Sequence, residues 1–192
     1  FDAAEGNDLS SNFLIKGGYI ITSSKSGLML IHIKRAIERI VYSDIHKQFI
    51  SRPLNSQTLL FPVEREILKH ETSLWEENNT LLTQLGFKSE IENGILKISA
   101  VPDVLQEETI ASSIEEIFAS FGYQEIDKGD IAHSLIVAIS TSASMKKTNL
   151  NNNESIQALI DKLFQCENHV YSPRNKKIIE TVSLDEIHQK FN

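Results

Sequence analysis

Cysteine is almost missing from this sequence. The 192 residues include one cysteine, Cys166, so neither an internal disulfide nor a zinc site made of several thiolates can form within the chain. A reducing cytoplasm therefore fits the composition best. Cys166 lies near the end of a predicted helix, where the pattern favours a small buried hydrophobic residue over a reactive thiol.

Long hydrophobic runs and targeting segments are also missing. The longest apolar runs are far shorter than a membrane span, and no signal-peptide pattern occurs. No glycine-rich loop that could cradle a phosphate is present, so we expect no ATP binding and no cofactor. The chain begins with Phe1 rather than methionine, from which we expect a piece of a longer protein.

Positively charged residues are fewer than negatively charged ones. The sequence has 19 Lys and Arg and 26 Asp and Glu, so its net charge is −7. The chain as a whole should therefore hold DNA only weakly, and a nucleic-acid contact would need a local basic patch. Arg174, Lys176 and Lys177, with Lys146 and Lys147, are the candidates for such a patch. A solvated loop is the competing interpretation, and the sequence favours it.

The histidines form no metal-binding pattern. None of the six makes a His-x-x-x-His pair: His32, His46, His70, His133, His169 and His188 are scattered along the chain. Of these, only His32 lies at a place where sites are often built, the junction of a predicted strand and a predicted helix. A polar residue that ends a strand is the favoured interpretation of His32.

The stretch from Leu28 to Tyr42 organises the rest of the chain. Its first four residues, Leu28 to Ile31, are apolar and have the length of a buried strand. An amphipathic helix follows without a break and is predicted to end near Phe49 or Ile50, before Pro53. Its apolar positions are Ile33, Ile37, Ile40, Val41 and Ile45.

Several further elements can be predicted from local signals. Asn93-Gly94 predicts a hairpin turn, and Gly86 and Gly122 should each end a helix. The segment from Val63 to Ile67 alternates like an edge strand, although a helix from Glu64 competes. Other predicted elements are strands at 13–15, 19–22 and 178–182 and helices at 131–145, 155–164 and 183–191, the last starting with a capping box.

Two connectors, at 51–56 and 127–130, divide the chain. The block 56–129 has its own helix, hairpin and helix, which suffice for a small layered unit. The outer blocks, 1–55 and 130–192, must then form the second unit together. We therefore expect an α/β (α+β) fold in which one subdomain is inserted within another.

These segments together resemble the C-terminal domain of the MutL family of mismatch-repair proteins. The similar segments occur in a consistent order: Leu28-Met-Leu-Ile, Ile40-Val-Tyr42, a Gln-led Leu-Leu-Phe-Pro, Leu85-Gly-Phe87, Ile98-Ser-Ala-Val-Pro102, Leu163-Phe-Gln-Cys166 and Ser183-Leu-Asp-Glu-Ile187. The resemblance implies a dimerisation subdomain made from both chain ends, with Ile37, Ile40, Val41 and Ile45 as interface or core positions. It also implies an external regulatory subdomain from the middle block.

The resemblance raises the question of nuclease activity. At the strand-to-helix junction many MutL proteins carry a motif that begins with Asp-Gln-His-Ala. After a gap of two residues a Glu follows, and after a gap of four more a second Glu. These side chains hold the metal of an endonuclease site. Of the corresponding positions in this sequence, only Glu38 has the residue of the motif. The other positions are occupied by His32, Ile33, Lys34, Arg35 and Ser43. The late cysteine- and histidine-bearing loop is here Ser172-Pro-Arg-Asn-Lys-Lys177, and the segment Ser140 to Met145 contains no cysteine. We therefore expect no metal site and a MutL that cannot cut DNA itself.

The segment Gln57-Thr-Leu-Leu-Phe-Pro62 resembles the short peptides by which MutL and other replication proteins dock on the sliding clamp. In such a peptide the Gln57 amide would fix the orientation, while Leu60 and Phe61, followed by Pro62, would fill an apolar pocket. An ordinary edge strand explains the segment equally well.

The sequence thus predicts a homodimerisation and interaction module, with three kinds of partner implied by the resemblance: a MutS-type mismatch recognition protein, the sliding clamp and a separate endonuclease. An N-terminal ATPase in the full-length protein and a cytoplasmic location, associated with the nucleoid during repair, are implied in the same way, and no membrane contact is expected. Two alternatives stay open: a metal-dependent nicking endonuclease with a divergent site, and an unrelated α/β domain that binds a small molecule.

Overall fold

The computed structural model describes residues 13–122, 131–145 and 150–192. They form two compact units, one from residues 13–37 and 150–192, the other from residues 38–122 and 131–145. Each unit contains one antiparallel sheet and helices, which confirms the α+β fold class. Within the described residues, no helix is long and apolar enough to cross a membrane.

The elements follow one another in an order close to that predicted. Seven strands and seven helices are described: β1 Leu14–Lys16, β2 Tyr19–Ser24, β3 Gly27–His32, α1 Ile33–Ser51, β4 Ser56–Glu66, α2 Lys69–Glu77, α3 Asn79–Gln84, β5 Lys88–Glu92, β6 Ile95–Pro102, α4 Glu107–Gly122, α5 Ile131–Ala143, α6 Asn153–Phe164, β7 Ile179–Ser183 and α7 Leu184–Gln189. The predicted connector at 127–130 lies outside the described residues.

The first unit is built on a four-stranded sheet of order β1-β2-β3-β7. Strands β2 and β3 form an antiparallel hairpin, and β7 pairs with β3 from the far end of the chain. The junction between β3 and α1 is fixed on both sides, because His32 N–H donates to Ile178 O at 2.9 Å and Ile33 N–H donates to Gly18 O at 3.0 Å.

The cross-strand pairs of this sheet define two faces, since directly paired residues point to the same side. One face carries the row Ile15, Ile20, Ile31 and Ile179, in which Ile20 and Ile31 are fully buried. The opposite face carries three rows, none of whose side chains is buried: Leu14, Ile21, Leu30 and Glu180 in the first, Ser23, Leu28 and Val182 in the second, and Lys16, Tyr19 and His32 in the third.

The second unit contains a three-stranded sheet of order β4-β6-β5 and the largest core cluster of the described chain. Strands β5 and β6 meet at the predicted turn, where Asn93 and Gly94 have φ of 51° and 78°. Helices α4 and α5 pack together, and Trp75, Leu96 and Ile117 are among the fully buried side chains. The core is therefore assembled from all parts of the middle block.

In this unit one prediction is confirmed against its alternative and another is wrong. The segment after Pro62 is strand β4, as predicted, and not the competing helix, because Val63 to Glu66 pair with β6. The single helix predicted to end at Gly86 is instead two helices, which meet at Asn78. The Asn78 side-chain amide donates to Leu74 O at 2.8 Å and takes up a carbonyl at the end of α2.

The compact units do not divide where the connectors do, since they part after residue 37 and before residue 148. Most of α1 and all of α5 therefore belong to the unit that contains the middle block. The functional division into a dimerisation subdomain at 1–55 and 130–192 and an external subdomain at 56–129 stays a prediction.

Arg65 connects strand β4 with helices α2 and α4 through two ion pairs. Its guanidinium lies 4.0 Å from the centre of the Phe118 ring and bonds Glu71 at 3.1 Å and Glu115 at 3.0 Å. Desolvation alone would raise the pKa of Glu71, but the Leu68 N–H and the Arg65 guanidinium outweigh it and hold that pKa below its usual value. A charged network therefore supports the C-terminal half of β4.

Gly86 closes helix α3, and alanine there should destabilise the chain. Gly86 has φ of +92° and donates to Thr83 O, while Phe87 donates to Leu82 O, as in a Schellman motif. An added Cβ would lie 3.1 Å from Asn55 O and 3.2 Å from the Pro102 Cα. We expect Gly86→Ala to lower the free energy of unfolding by about 2 kcal/mol or more, from backbone strain plus crowding.

Gly94→Ala is the matched control, to be compared by chemical denaturation. Gly94 also has positive φ, but the nearest atom to an added Cβ is 3.9 Å away. Gly94→Ala should therefore lower the free energy of unfolding only through backbone strain, by about 1 kcal/mol. Equal losses for the two variants would contradict the packing assigned to Gly86.

The Glu71 ion pair should make stability depend on pH. Because its folded-state pKa is lowered, Glu71 contributes stability above the usual glutamate pKa, about 4.3, and loses it as pH falls through the folded value. We expect Glu71→Gln to lower the free energy of unfolding by about 1–2 kcal/mol at pH 7 and by much less near pH 3. Glu77→Gln, at an exposed position of α2, is the control and should change the free energy of unfolding at pH 7 by less than about 0.5 kcal/mol in the same urea titrations.

Candidate functional site

The junction of β3 and α1, where the family resemblance would place metal ligands, carries an aromatic pair. The His32 ring meets the Tyr19 ring edge to face, with centroids 5.0 Å apart. The next two side chains that the motif would use are Ile33, which has no donor atoms, and Lys34, which is exposed. Among these positions only His32 has the chemistry of a ligand.

Glu38, the position that keeps the motif residue, is held inside the second unit. It is 7% exposed and accepts a hydrogen bond from the Thr141 hydroxyl at 2.9 Å. Thr141 also donates to Val137 O at 2.9 Å. A buried carboxylate fixed to a neighbouring helix in this way acts as a structural link between α1 and α5.

The loop between α6 and β7, where the second ligand segment would lie, is a tight turn closed by its own hydrogen bonds. Ser172 N–H donates to Lys176 O at 2.8 Å, and the buried Ser172 hydroxyl accepts from Lys176 N–H at 3.2 Å. Asn175 takes the left-handed conformation at the tip, with φ of 55°. The side chains that this turn exposes are basic: Arg174, Lys176 and Lys177.

Metal-ligating side chains do not gather anywhere in the described structure. Across residues 13–122, 131–145 and 150–192, no three His, Cys, Asp or Glu side chains come close enough to hold a metal ion. Cys166 is buried, and its thiol donates to Lys162 O at 3.4 Å at the end of α6.

The four apolar residues of α1 that were predicted as interface or core positions are largely buried within the chain. Ile45 is 4% exposed and belongs to the core cluster of the second unit, and Val41 packs against that cluster. Ile40 is 9% exposed, and Ile37 is half-buried. Their burial favours a core role over an interface role.

The exposed apolar surface lies instead on the four-stranded sheet. We call the side chains of Leu14, Tyr19, Ile21, Leu28, Leu30, His32 and Val182, which share this side of the sheet with Lys16, Ser23 and Glu180, the outer sheet face. Leu14 is 56% exposed, Tyr19 41% and Leu28 38%, and the others are half-buried. Neighbouring rows of apolar side chains on one sheet face are typical of a surface that is covered in an assembly.

A second exposed apolar feature is a bulge in edge strand β4. Thr58 pairs with Ala100 and Val63 pairs with Ile98, so four residues of β4, Leu59 to Pro62, oppose only Ser99 of β6. The extra residues loop outward, and Leu60 and Phe61 are 89% and 79% exposed. The structure thus brings together the exposed side chains of the predicted clamp-binding segment.

Gln57, the first residue of that segment, is bonded within the chain. Its amide nitrogen donates to Leu105 O and, at 3.4 Å, to Pro102 O. The side chain therefore holds the turn that follows β6. This use of the amide could not be found from the sequence, because the partners lie about fifty residues away.

A small groove lies between α1 and this turn. Its lining combines apolar residues with two carboxylates: Val41, Asp44, Ile45, Gln48, Leu54, Pro102, Asp103 and Val104. Its volume is about 150 Å³, below the 300–1,000 Å³ that is typical of small-molecule sites. The groove gives little support to a small-molecule-binding domain.

Comparisons with known proteins agree with this arrangement. The family model described as the MutL C terminal dimerisation domain matches residues 13–150. The protein named DNA mismatch repair protein MutL from Christiangramia forsetii is 30% identical over 193 residues, covering the whole chain and 31% of that relative. Those of the same name from Chloroherpeton thalassium and Halobacterium salinarum are 32% and 27% identical, each over 90% of the chain.

The chain spans about three-tenths of the length of these relatives. The family match covers most of the chain, including the four-stranded sheet's first three strands, helix α1 and the bulged strand β4. The chain therefore belongs to the family of MutL C-terminal dimerisation domains.

Proposed function

We propose that this chain forms a homodimer through the outer sheet face and serves as the interaction module of a mismatch-repair protein. In this role it links a MutS-type mismatch recognition protein to incision by a separate endonuclease, in the cytoplasm and at the nucleoid during repair. The observation that carries the proposal is the exposed apolar face of the four-stranded sheet, in a domain whose family is named for dimerisation.

The outer sheet face suits a second copy of the same chain. A two-fold axis that lies between two copies of this face, parallel to the strands, would set like rows against each other and bury the exposed leucines of both copies. Tyr19 and His32 lie at one end of the face and Glu180 at another edge, so polar groups surround the apolar centre. An apolar centre with a polar rim is typical of protein interfaces.

The side chains at the former ligand positions support a domain without nuclease chemistry of its own. Glu38 is engaged with Thr141 in the interior, and His32 packs on Tyr19. The loop that would supply a thiolate and an imidazole has Ser172 and Arg174. A lysine and an arginine at such positions would repel a divalent cation rather than bind it.

The dimer should weaken when charge is placed on the outer sheet face. Leu28 is exposed in the single chain, so Leu28→Glu should fold normally but desolvate a carboxylate when two copies meet. We expect the dimer dissociation constant to rise at least about thirtyfold, equivalent to about 2 kcal/mol. Light scattering over a dilution series measures it.

Leu60→Glu is the matched control for this measurement. It makes the same substitution at a leucine that is 89% exposed and outside the sheet face, so the dissociation constant should not change. A wild-type chain that is monomeric at micromolar concentration would refute the dimer. If Leu28→Glu and Leu60→Glu behave alike while the wild type dimerises, the interface lies elsewhere.

Docking on the sliding clamp is a second proposed function, supported by the bulge in β4. Leu60 and Phe61 project from an edge strand with most of their surface in solvent, which is unfavourable for an isolated domain. An aromatic and an aliphatic side chain side by side on a loop can enter an apolar pocket as anchors. The Gln57 amide would have to leave Pro102 and Leu105 in order to contact the clamp.

Phe61→Ala should weaken clamp binding without affecting the fold. Because Phe61 is 79% exposed, its removal should leave the unfolding transition unchanged, while loss of an anchor should raise the dissociation constant at least about tenfold. Binding to the purified clamp can be measured by surface plasmon resonance. Phe61 is a sharper probe than Gln57, whose replacement would also remove internal hydrogen bonds.

Phe191→Ala serves as the control, since Phe191 is 87% exposed and lies on the C-terminal segment. It should leave clamp affinity unaltered. If Phe61→Ala left the dissociation constant for the clamp unchanged, the bulge would be an exposed edge of the sheet and not a docking site.

A further inference from the structure

The groove beside α1 in the second unit combines an apolar floor with two carboxylates. Helix α1 forms one wall with residues that share a helix face at spacings of three and four: Val41, Asp44, Ile45 and Gln48. Leu54 and the turn at 102–104 form the other wall. We propose that this groove receives an arginine side chain of a partner protein.

The floor of the groove is apolar and firmly packed. Ile45 is 4% exposed and Leu54 is 8% exposed, and both belong to the core cluster of the second unit. Val41 and Val104 pack against the same cluster. A floor of this kind suits the methylene stem of a long charged side chain, because the stem can leave water while the charged head stays at the rim.

The rim of the groove carries negative charge from both walls. Asp44 lies on α1 and Asp103 in the turn after β6, and both residues are exposed. Among the described residues that line the groove, none is basic. A guanidinium presents its N–H donors in a rigid fork and forms charge-assisted hydrogen bonds with carboxylates. Opposite charges on groove and ligand therefore select a cationic head group.

The wall that carries Asp103 is fixed before any ligand arrives. The Asp103 N–H donates to Asn55 O at 3.1 Å, and the Asn55 side-chain amide donates to Asp103 Oδ2 at 3.2 Å. Leu54 N–H donates to Gln84 O at 2.9 Å. A carboxylate has about four acceptor sites, so Asp103 keeps acceptors for a ligand. Binding should therefore need little ordering of this wall.

The size of the groove favours one side chain over a whole small molecule. Its volume of about 150 Å³ lies below the range of about 300–1,000 Å³ that is typical of small-molecule sites. A long side chain presented by another protein needs only a pocket for its stem and head. Arginine is enriched among the residues that anchor protein interfaces in such pockets. The occupant that fits size, floor and charge together is thus a partner's arginine.

A glycine-arginine-glycine tripeptide, blocked at both ends, tests the proposal on the whole chain. Amide NMR should show saturable shifts at Leu54, Asp103 and Val104, with a dissociation constant of about 1–10 mM. The same peptide with citrulline in place of arginine keeps the shape without the charge and should bind at least about tenfold more weakly. Equal affinity for the two peptides, or shifts at other amides only, would overturn the proposal.

The paired substitution Asp44→Asn with Asp103→Asn removes both charges and keeps the side-chain shape. It should raise the dissociation constant of the arginine peptide at least about tenfold, with unchanged thermal unfolding as the check on the fold. Asp161→Asn with Asp185→Asn is the matched control, because both residues are exposed in the first unit. Equal losses for the two pairs would mean general attraction to an acidic chain and would refute the site.

Three other occupants of the groove predict different results, each of which would overturn the assignment. Magnesium chloride that saturates the same amides at lower concentration than the peptide would assign the carboxylates to a cation. Free arginine that binds more tightly than the blocked tripeptide would indicate an amino-acid site. Shifts confined to these amides when the chain alone is concentrated would indicate a second copy. None of these results depends on the outer sheet face or on Phe61, so dimerisation and clamp docking are tested separately.

Discussion

The four-stranded sheet has apolar side chains on both faces, and the hydrophobic effect requires that both be covered. In the single chain, Ile20 and Ile31 at the centre of one face are 0% and 1% exposed, whereas the other face has leucines that are 38% and 56% exposed. Each exposed leucine forgoes about 25 cal/mol per Å² of apolar area that could be removed from water. The sheet therefore has a complete core only when something covers the second face, and the proposed dimer would supply that cover with a second copy of the chain.

The same sheet also explains why the chain needs both of its ends. Strand β7, at residues 179–183, pairs with β3 in register from Gly27 to Ile31, so the sheet gains its fourth strand only after most of the chain has been synthesised. The long connection between them contains the second unit, whose core is formed from residues 45 to 143. Pairing across so large a separation is expected to make this sheet slow to form compared with the hairpin of β2 and β3.

Local signals in the sequence identified most of the elements but not their exposure. The Asn93-Gly94 turn, the glycine end at Gly86 and the capping box from Ser183 to Glu186 depend on neighbouring residues and were predicted correctly. The break at Asn78, the bulge in β4 and the apolar outer sheet face depend on packing or on partners far along the chain. Periodicity predicted the apolar positions of α1, but only the packing revealed that Ile45 faces the core. The donor chemistry at the positions where the resemblance places metal ligands could be judged from residue identity alone, because the isoleucine side chain has no donor atom and a protonated lysine repels a divalent cation.

The amide of Gln57 bears on the proposed clamp docking. Because the same nitrogen holds the turn at Pro102 and Leu105, a clamp that bound this segment would have to compete with the domain for it. The clamp affinity would then equal the intrinsic affinity multiplied by the fraction of molecules in which that turn has released the side chain. Asp103 and Val104, in the same turn, also line the groove beside α1. Whatever occupies that groove and shifts the turn would thereby set how readily the bulge engages the clamp, so the two surfaces would act as thermodynamically linked sites.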